Sequence, residues 1–299
     1  MNSKKINALK LISEIFSLKM SEIFGQTMSD NTDTKRNPED VMQSFLISSN
    51  YFTPYFKDII NWALTSNEFS NFTYDLTPLN KRYLSSFLAV ALNKSNEEIN
   101  KYLEEILNDK ELSQHITSTI ELASPRSADL VPRYGRRIGW YALIRALKPR
   151  LVVETGLDKG LGSCVIASAL LRNRNEGFAG NYIGIDIMPH AGWLLQAPYN
   201  EAGKIIYSDA ITALQQIKEP IDLFISDSDH NPEYELKEYQ AAAPILSENA
   251  FIVGDNSHGS PSLIDFAQAT NRNFLFYQEK PANHWYAGAG IGLAFPKKS

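Results

Sequence analysis

The chain has 299 residues, 43% of them hydrophobic and 21% charged, with a net charge of −5 and a pI near 5.6. That composition suits a folded protein with a sizeable core, and the acidic balance gives no reason to expect a nucleic-acid or anionic-membrane partner. The lone cysteine, Cys164, excludes an internal disulfide and a cysteine-based zinc site. It also suits a reducing compartment. No signal peptide with a cleavage site and no apolar run of about 18 residues is seen, so a cytoplasmic location is expected.

Taken in order, the first elements are helical. Residues 6–24 place apolar side chains three and four apart, as do 38–66 and 80–93. Residues 95–109 open on Ser95 with Glu97 and Glu98 in the first turn, a helix start. Between the first two helices, residues 25–40 are polar and read as a mobile loop. An α-helical region over 1–125 is expected, a lid or a dimerisation module, and a homodimer is expected with it because its apolar faces must bury against something.

From residue 126 to 299 the pattern changes. Continuous apolar runs at 150–156, 181–187, 204–210, 221–227 and 250–256 alternate with helical segments at 163–173, 210–218 and 233–246. Continuous rather than alternating runs point to a parallel sheet covered on both faces. The tail differs. Runs at 274–281 and 290–298 have no helix between them, which predicts an antiparallel edge hairpin.

Ligands of open α/β sheets sit at the carboxyl ends of the strands, so the residues there are the candidate site. The first strand ends on Glu154, then Gly156, Asp158, Gly160, Gly162 and Ser163. The next ones end on Asp186, on Asp209, on Asp227 with Asp229, and on Asp255 with Asn256. A carboxylate can cap a helix or sit in a solvated turn, but every central strand delivers one to the same rim. The glycines let backbone approach a ligand, and the helix that follows offers free N–H groups. No Gly-Lys-Ser/Thr follows, so this is not a P-loop. Asp186 suits both hydroxyls of a ribose and Asp209 an exocyclic adenine amino group. Together they read as an adenosine site with no pyrophosphate requirement.

With Glu154-x-Gly156-x-x-x-Gly160, Asp186, the Asp227-Ser228-Asp229-His230 stretch and the Asp255-Asn256 pair, the sequence resembles the class I S-adenosylmethionine-dependent methyltransferases. More narrowly, it is similar to the cation-dependent O-methyltransferases of the catechol and caffeoyl-CoA type. The likeness spans roughly residues 130–298 and leaves the N-terminal region without a counterpart. It implies a Rossmann-like fold: a doubly wound, mostly parallel seven-stranded sheet with an antiparallel C-terminal hairpin. It also implies a methyltransferase domain over 126–299 that binds S-adenosyl-L-methionine through Glu154, Gly156, Asp158, Gly160, Ser163, Asp186, Asp209 and Asp227. Carried over, Asp227, Asp255 and Asn256 are the metal ligands, and His230 stands where that family has a lysine thought to act as base.

Two carboxylates and an amide oxygen are hard donors, suited to Mg²⁺. Such an ion fixes the reacting hydroxyl and lowers its pKa. A histidine is a usable base at neutral pH. His230 has two other readings, as a metal ligand or as a cap on the helix that starts at Pro232. Asp229 faces the cofactor, holds His230 as a second catalytic group, or replaces Asp227 as ligand. His258 reads as a site residue or an exposed loop histidine. Arg133, Arg136 and Arg137 either meet a carboxylate of cofactor or substrate or form a basic helix surface. Trp193 or His190 is expected to pack on an adenine, and His284, Trp285 and Tyr286 to form a lid or an acceptor platform.

The expected function is O-methylation of a hydroxyl on a small molecule or sugar, assisted by a divalent cation. The alternative is a metal-independent methyltransferase of the same fold. A nicotinamide-dependent dehydrogenase fits less well, since Asp186 lies about 30 residues past the glycine loop instead of about 20. A binding protein without turnover is the remaining reading.

Overall fold

The structure, a computed structural model, describes residues 3–30, 36–123 and 131–297. The chain divides into two compact units: Met1–Asn67 with Ala282–Tyr286, and Glu68–Pro281 with Ala287–Ser299.

The first unit holds α1 (Ser3–Asp30) and α2 (Pro38–Thr65). The start of α2 is set by Asn37, whose side chain accepts from the Glu39 amide at 3.1 Å, with Pro38 at the first helical position. The loop expected over 25–40 is shorter than predicted, because residues 25–30 continue α1. One glycine in a helix costs only about 1 kcal/mol relative to alanine, so Gly25 does not end it. Of the rest of that stretch, 31–35 fall outside the described residues and 38–40 open α2. In the segment 282–286, the His284 and Trp285 rings pack edge-on to Trp62, and the Tyr55 hydroxyl donates to the Trp285 carbonyl.

The second unit opens with α3 (Pro78–Leu92), α4 (Asn96–Leu107), α5 (Lys110–Ala123) and α6 (Arg137–Leu147). Ser95 caps α4 as predicted, its hydroxyl accepting from the Glu98 amide at 3.1 Å. A basic, solvated face for α6 is not found: residues 138–145 are all buried, with α3, α4 and α7 packed against the helix. The charge of Arg145 is met there by Glu105 and Glu176, at 2.6 and 2.5 Å.

Then come β1 (Leu151–Thr155), α7 (Leu161–Asn175), β2 (Asn181–Asp186), β3 (Gly203–Tyr207), α8 (Ala210–Leu214), β4 (Ile221–Ser226), α9 (Pro232–Ala242), β5 (Leu246–Asp255), α10 (Ser262–Ala269), β6 (Arg272–Gln278) and β7 (Gly290–Pro296). They form one seven-stranded sheet ordered β3-β2-β1-β4-β5-β7-β6. All pairs are parallel except β5 with β7 and β6 with β7. This is the doubly wound sheet with its antiparallel terminal hairpin. β1 is buried along its whole length, as a strand covered on both faces must be.

The register fixes the site. Thr155 lies beside Ile185 on one side and Ser226 on the other, and Ser226 lies beside Gly254. Asp186, Asp227 and Asp255 each follow a residue of this row, so the pairing alone brings three carboxylates to one rim.

Candidate active site

The turn after β1 is built for close backbone approach. Gly156 has φ 80°, and a Cβ there would overlap the Asp227 carbonyl. Gly160, φ 93°, stands at the start of α7 against the backbone of Gly192. Between them Leu157 donates its amide to Asp186 Oδ2 at 2.8 Å, and Asp186 Oδ1 accepts from the Met188 amide at 2.8 Å. One carboxylate therefore ties the β1 turn to the β2 turn. Each of its oxygens keeps a lone pair for a further donor.

Glu154 is buried under this turn. It accepts from the Ser163 hydroxyl at 2.9 Å and from the Tyr182 hydroxyl. Burial pushes its carboxyl up to about 7, against the lowering by those two donors. Ser163 is fully buried and holds Glu154 in place. Asp158 projects outward and pairs with Lys159 at 3.2 Å. Asp209 caps α8: its Oδ1 accepts from the amide and hydroxyl of Thr212, both at 2.9 Å. Its Oδ2 accepts from the Tyr234 hydroxyl at 2.8 Å. The Thr212 amide, then Tyr234, holds this carboxyl below its usual range.

At the ends of β4 and β5 the polar groups converge. Ligand atoms of Asp227, His230 and Asp255 lie within 4.8 Å of one another. Asn256, in the left-handed region at φ 57°, sets its amide nitrogen 2.7 Å from His230 Nε2. His230 Nε2 is 3.9 Å from Asp227 Oδ1. Asp229 accepts from the Asn231 amide at 3.0 Å, and Asn231, not His230, caps α9. His258 is exposed on the next loop and His190 on the β2 turn. Burial and the adjacent Asp255 push Asp227 well up, whereas burial of Asp255 is overridden by the Arg136 guanidinium, which holds it low.

All this opens onto one cavity of about 660 Å³, within the range of roughly 300–1,000 Å³ usual for small-molecule sites. Glu154, Asp158, Asp186, Asp209, Asp227 and Asp229 line it, against three cations, Arg136, Arg137 and Lys159. The stretch from residue 153 to 257 carries every one of those six acids and the glycine turn. It matches a family model described as a methyltransferase domain, over about a third of the chain. This segment is a methyltransferase domain.

Solved structures similar to the chain include a cofactor-bound protein from MTB, at 18% identity and TM-score 0.49, covering 67% of this chain and 97% of that one. Another is the O-methyltransferase TomG from Streptomyces achromogenes in complex with SAM, at 18% identity and TM-score 0.44, covering 64% and 91%. A third is the O-methyltransferase from Bacillus cereus in complex with SAH, at 15% identity and TM-score 0.42, covering 72% and 97%. No curated protein matches the sequence.

The methyltransferase domain offers a fit for a cofactor bearing a ribose and a carboxylate. Asp186 has acceptor capacity to spare. Arg137 lines the cavity, and its buried Nε has no partner among the described residues. The donor set for a divalent ion fits less well. Both carboxylate oxygens of Asp255 are already held by Arg136, through Nε and Nη2. An ion shared with Asp255 would sit beside that guanidinium. At a separation of about 4 Å and an effective dielectric constant of about 20, the repulsion is about 8 kcal/mol. As arranged, Asp227, Asp255 and Asn256 do not form a free ligand set.

The sequence patterns did not point to Tyr234, nor to the loop Ser70–Phe72, which lines the same cavity from the N-terminal region read as mainly helical. Lys159 sits over the Phe72 ring at 4.3 Å, joining that loop to the glycine turn. Nothing local in the sequence marks the loop, because its role comes from where α3 and α6 place it.

Proposed function

We propose that this chain is an S-adenosylmethionine-dependent O-methyltransferase acting on a hydroxyl of a small molecule. The observation that carries the reading is the charge of the cavity. Acids outnumber cations on its walls by six to three, and although burial pushes Glu154 and Asp227 toward their neutral forms, Asp158, Asp186, Asp209 and Asp229 favour a cofactor with a positive centre and disfavour a nicotinamide dinucleotide, whose pyrophosphate would face the same acids. When bound, the cofactor supplies a methyl group on a positively charged sulfur. The chain's residues bind and orient it: Asp186 takes the ribose hydroxyls, Arg137 the carboxylate, and the backbone at 156–160 passes beneath. Glu154, held by Tyr182 and Ser163, lies beneath this turn beside the cofactor.

The proton of the acceptor hydroxyl goes to His230. In this arrangement Nε2 is the nitrogen facing the Asn256 amide, so it carries the lone pair. The acceptor hydroxyl displaces Asn256 from that contact and passes its proton to Nε2. Asp227 then stands 3.9 Å from the charged ring. Asp229 shapes the turn that presents His230. Of the two forms read from the sequence, the Arg136–Asp255 pair favours the metal-independent one. Most of the acceleration comes from positioning and from exclusion of water.

Of the helical region over 1–125, the part in the second unit, with the loop Ser70–Phe72 on the cavity, is proposed to contribute the acceptor-side cover, and the part in the first unit a homodimer contact. Its helix α2 has no buried residue and exposes Phe45, Leu46, Tyr51 and Phe52. A clean monomer in light scattering removes that part. No helix among the described residues is long and apolar enough to cross a membrane.

The test is calorimetry with S-adenosylhomocysteine, followed by transfer of labelled methyl to a panel of hydroxylated small molecules. One cofactor product should bind per chain and NAD⁺ should not. Binding of NAD⁺ with no binding of S-adenosylhomocysteine overturns the reading.

A further inference from the structure

The rim carries a guanidinium where the resemblance calls for a metal. Arg136, immediately before α6, has a side chain only 6% exposed, and that of Asp255 is 0% exposed. Nε and Nη2 of Arg136 both donate to Asp255, while Nη1 donates to the Tyr74 hydroxyl at 2.6 Å and to Glu279 Oε1 at 3.4 Å. Tyr74 donates on to Glu279 Oε2 at 2.7 Å, and Glu279 Oε1 accepts from the Ala289 amide at 2.9 Å. The guanidinium is thus fixed by two buried acids and a phenol on separate parts of the second unit. It cannot swing away without leaving Asp255 and Glu279 as uncompensated buried charges. It also lines the cavity together with Asp227, His230 and Asn256.

We propose that Arg136 is a built-in cation that takes the place of the divalent metal: it occupies the carboxylate of Asp255, excludes a metal ion from the Asp227–His230–Asp255 cluster, and supplies the fixed positive charge of the rim. The inference rests on the methyltransferase reading of this cavity and adds to it which group does the metal's electrostatic work. A guanidinium suits the task because it stays protonated at every working pH and matches a carboxylate with two parallel donors.

The test uses the full chain after treatment with a chelator, titrated with Mn²⁺ and followed by electron paramagnetic resonance. The wild type is expected to leave the Mn²⁺ signal free. Arg136→Met removes the charge while keeping bulk, and should bind Mn²⁺ at least about tenfold more tightly, with that gain abolished by adding Asp255→Asn. If the single variant does not fold, Arg136→Met with Glu279→Gln, which also removes one of the acids left unpaired, carries the same test. Stoichiometric Mn²⁺ binding by the wild type, lost in Asp255→Asn, overturns the proposal. So does a charge-removed variant that gains no Mn²⁺ affinity. Calorimetry with S-adenosylhomocysteine on the same preparations separates the two claims. If the cofactor product fails to bind the wild type, the methyltransferase reading fails. If it binds while the Mn²⁺ results go the wrong way, only the role of Arg136 fails.

Discussion

Replacing Asp186 with alanine removes a side chain that ties the β1 turn to the β2 turn. Two amide bonds are lost, from Leu157 and from Met188, each 2.8 Å in the wild type. They are not equivalent. Leu157 is buried, so its amide is left without a partner, whereas Met188 is exposed and its amide turns to water. An unsatisfied buried donor costs about 1–3 kcal/mol, and a bond exchanged for water about 0.5–1.5 kcal/mol. The expected loss of stability is therefore roughly 1.5–4.5 kcal/mol, read from urea unfolding. On the proposed function the ribose hydroxyls also lose their acceptor. At about 1.5–3 kcal/mol for bonds to a charged group, affinity for S-adenosylhomocysteine should fall about ten- to a hundredfold in calorimetry. Asp186→Asn keeps one acceptor oxygen and turns an NH₂ toward one of the two amides, so it should fall between alanine and wild type. An alanine variant that remains folded and binds within about twofold of the wild type refutes the placement of the ribose on Asp186.

Three further outcomes are expected. Gly156→Ala places a Cβ on the Asp227 carbonyl at a positive φ, which costs at least about 2 kcal/mol. The melting temperature should fall by at least about 4 °C, and an unchanged melt removes the argument. His230→Ala should lower methyl transfer about 10²–10⁴-fold while S-adenosylhomocysteine affinity stays within about twofold; a parallel loss of both would make His230 a binding residue. Glu238 is buried behind β4, where its Oε2 accepts from the Ser226 hydroxyl at 3.0 Å, and burial pushes its carboxyl up to about 7 against the lowering by the hydroxyls of Ser228, Ser226 and Thr155. The folded state holds that proton more tightly than the unfolded chain. Its contribution is therefore present below about pH 4.5 and lost as pH rises to about 7, a change of about 3 kcal/mol. Glu238→Gln should flatten this part of the pH profile and stabilise the protein more at pH 8 than at pH 5. Parallel profiles for the two proteins would contradict the assignment.

Much of the catalytic unit was legible because its signals are local. Continuous apolar runs identify covered parallel strands, and all seven runs are strands in the structure. The missing helix between the last two runs identifies the hairpin. Ser95 marks a helix start because the cap bond joins residues three apart. The polar stretch over 25–40 misled because propensity is a weak prior, and α1 continues through its first six residues. The three rim acids were also legible, since each sits at a strand end and parallel pairing in register must bring such ends together.

What each acid does was not legible. Asp186, Asp209 and Asp255 look alike in the sequence, but one bridges two turns, one caps a helix and one is clasped by an arginine. The partner of Asp255 lies 119 residues away, and Arg136 in turn reaches Tyr74 and Glu279, 62 and 143 residues distant. No periodicity or spacing encodes such contacts. The sequence by itself determined the order of strands and helices and the row of carboxylates at one rim, because period and strand length are properties of short segments. Only the tertiary structure decided which carboxylates remain available to a ligand, because a charge buried at a strand end must be neutralised by whatever cation the packing of distant helices brings to it.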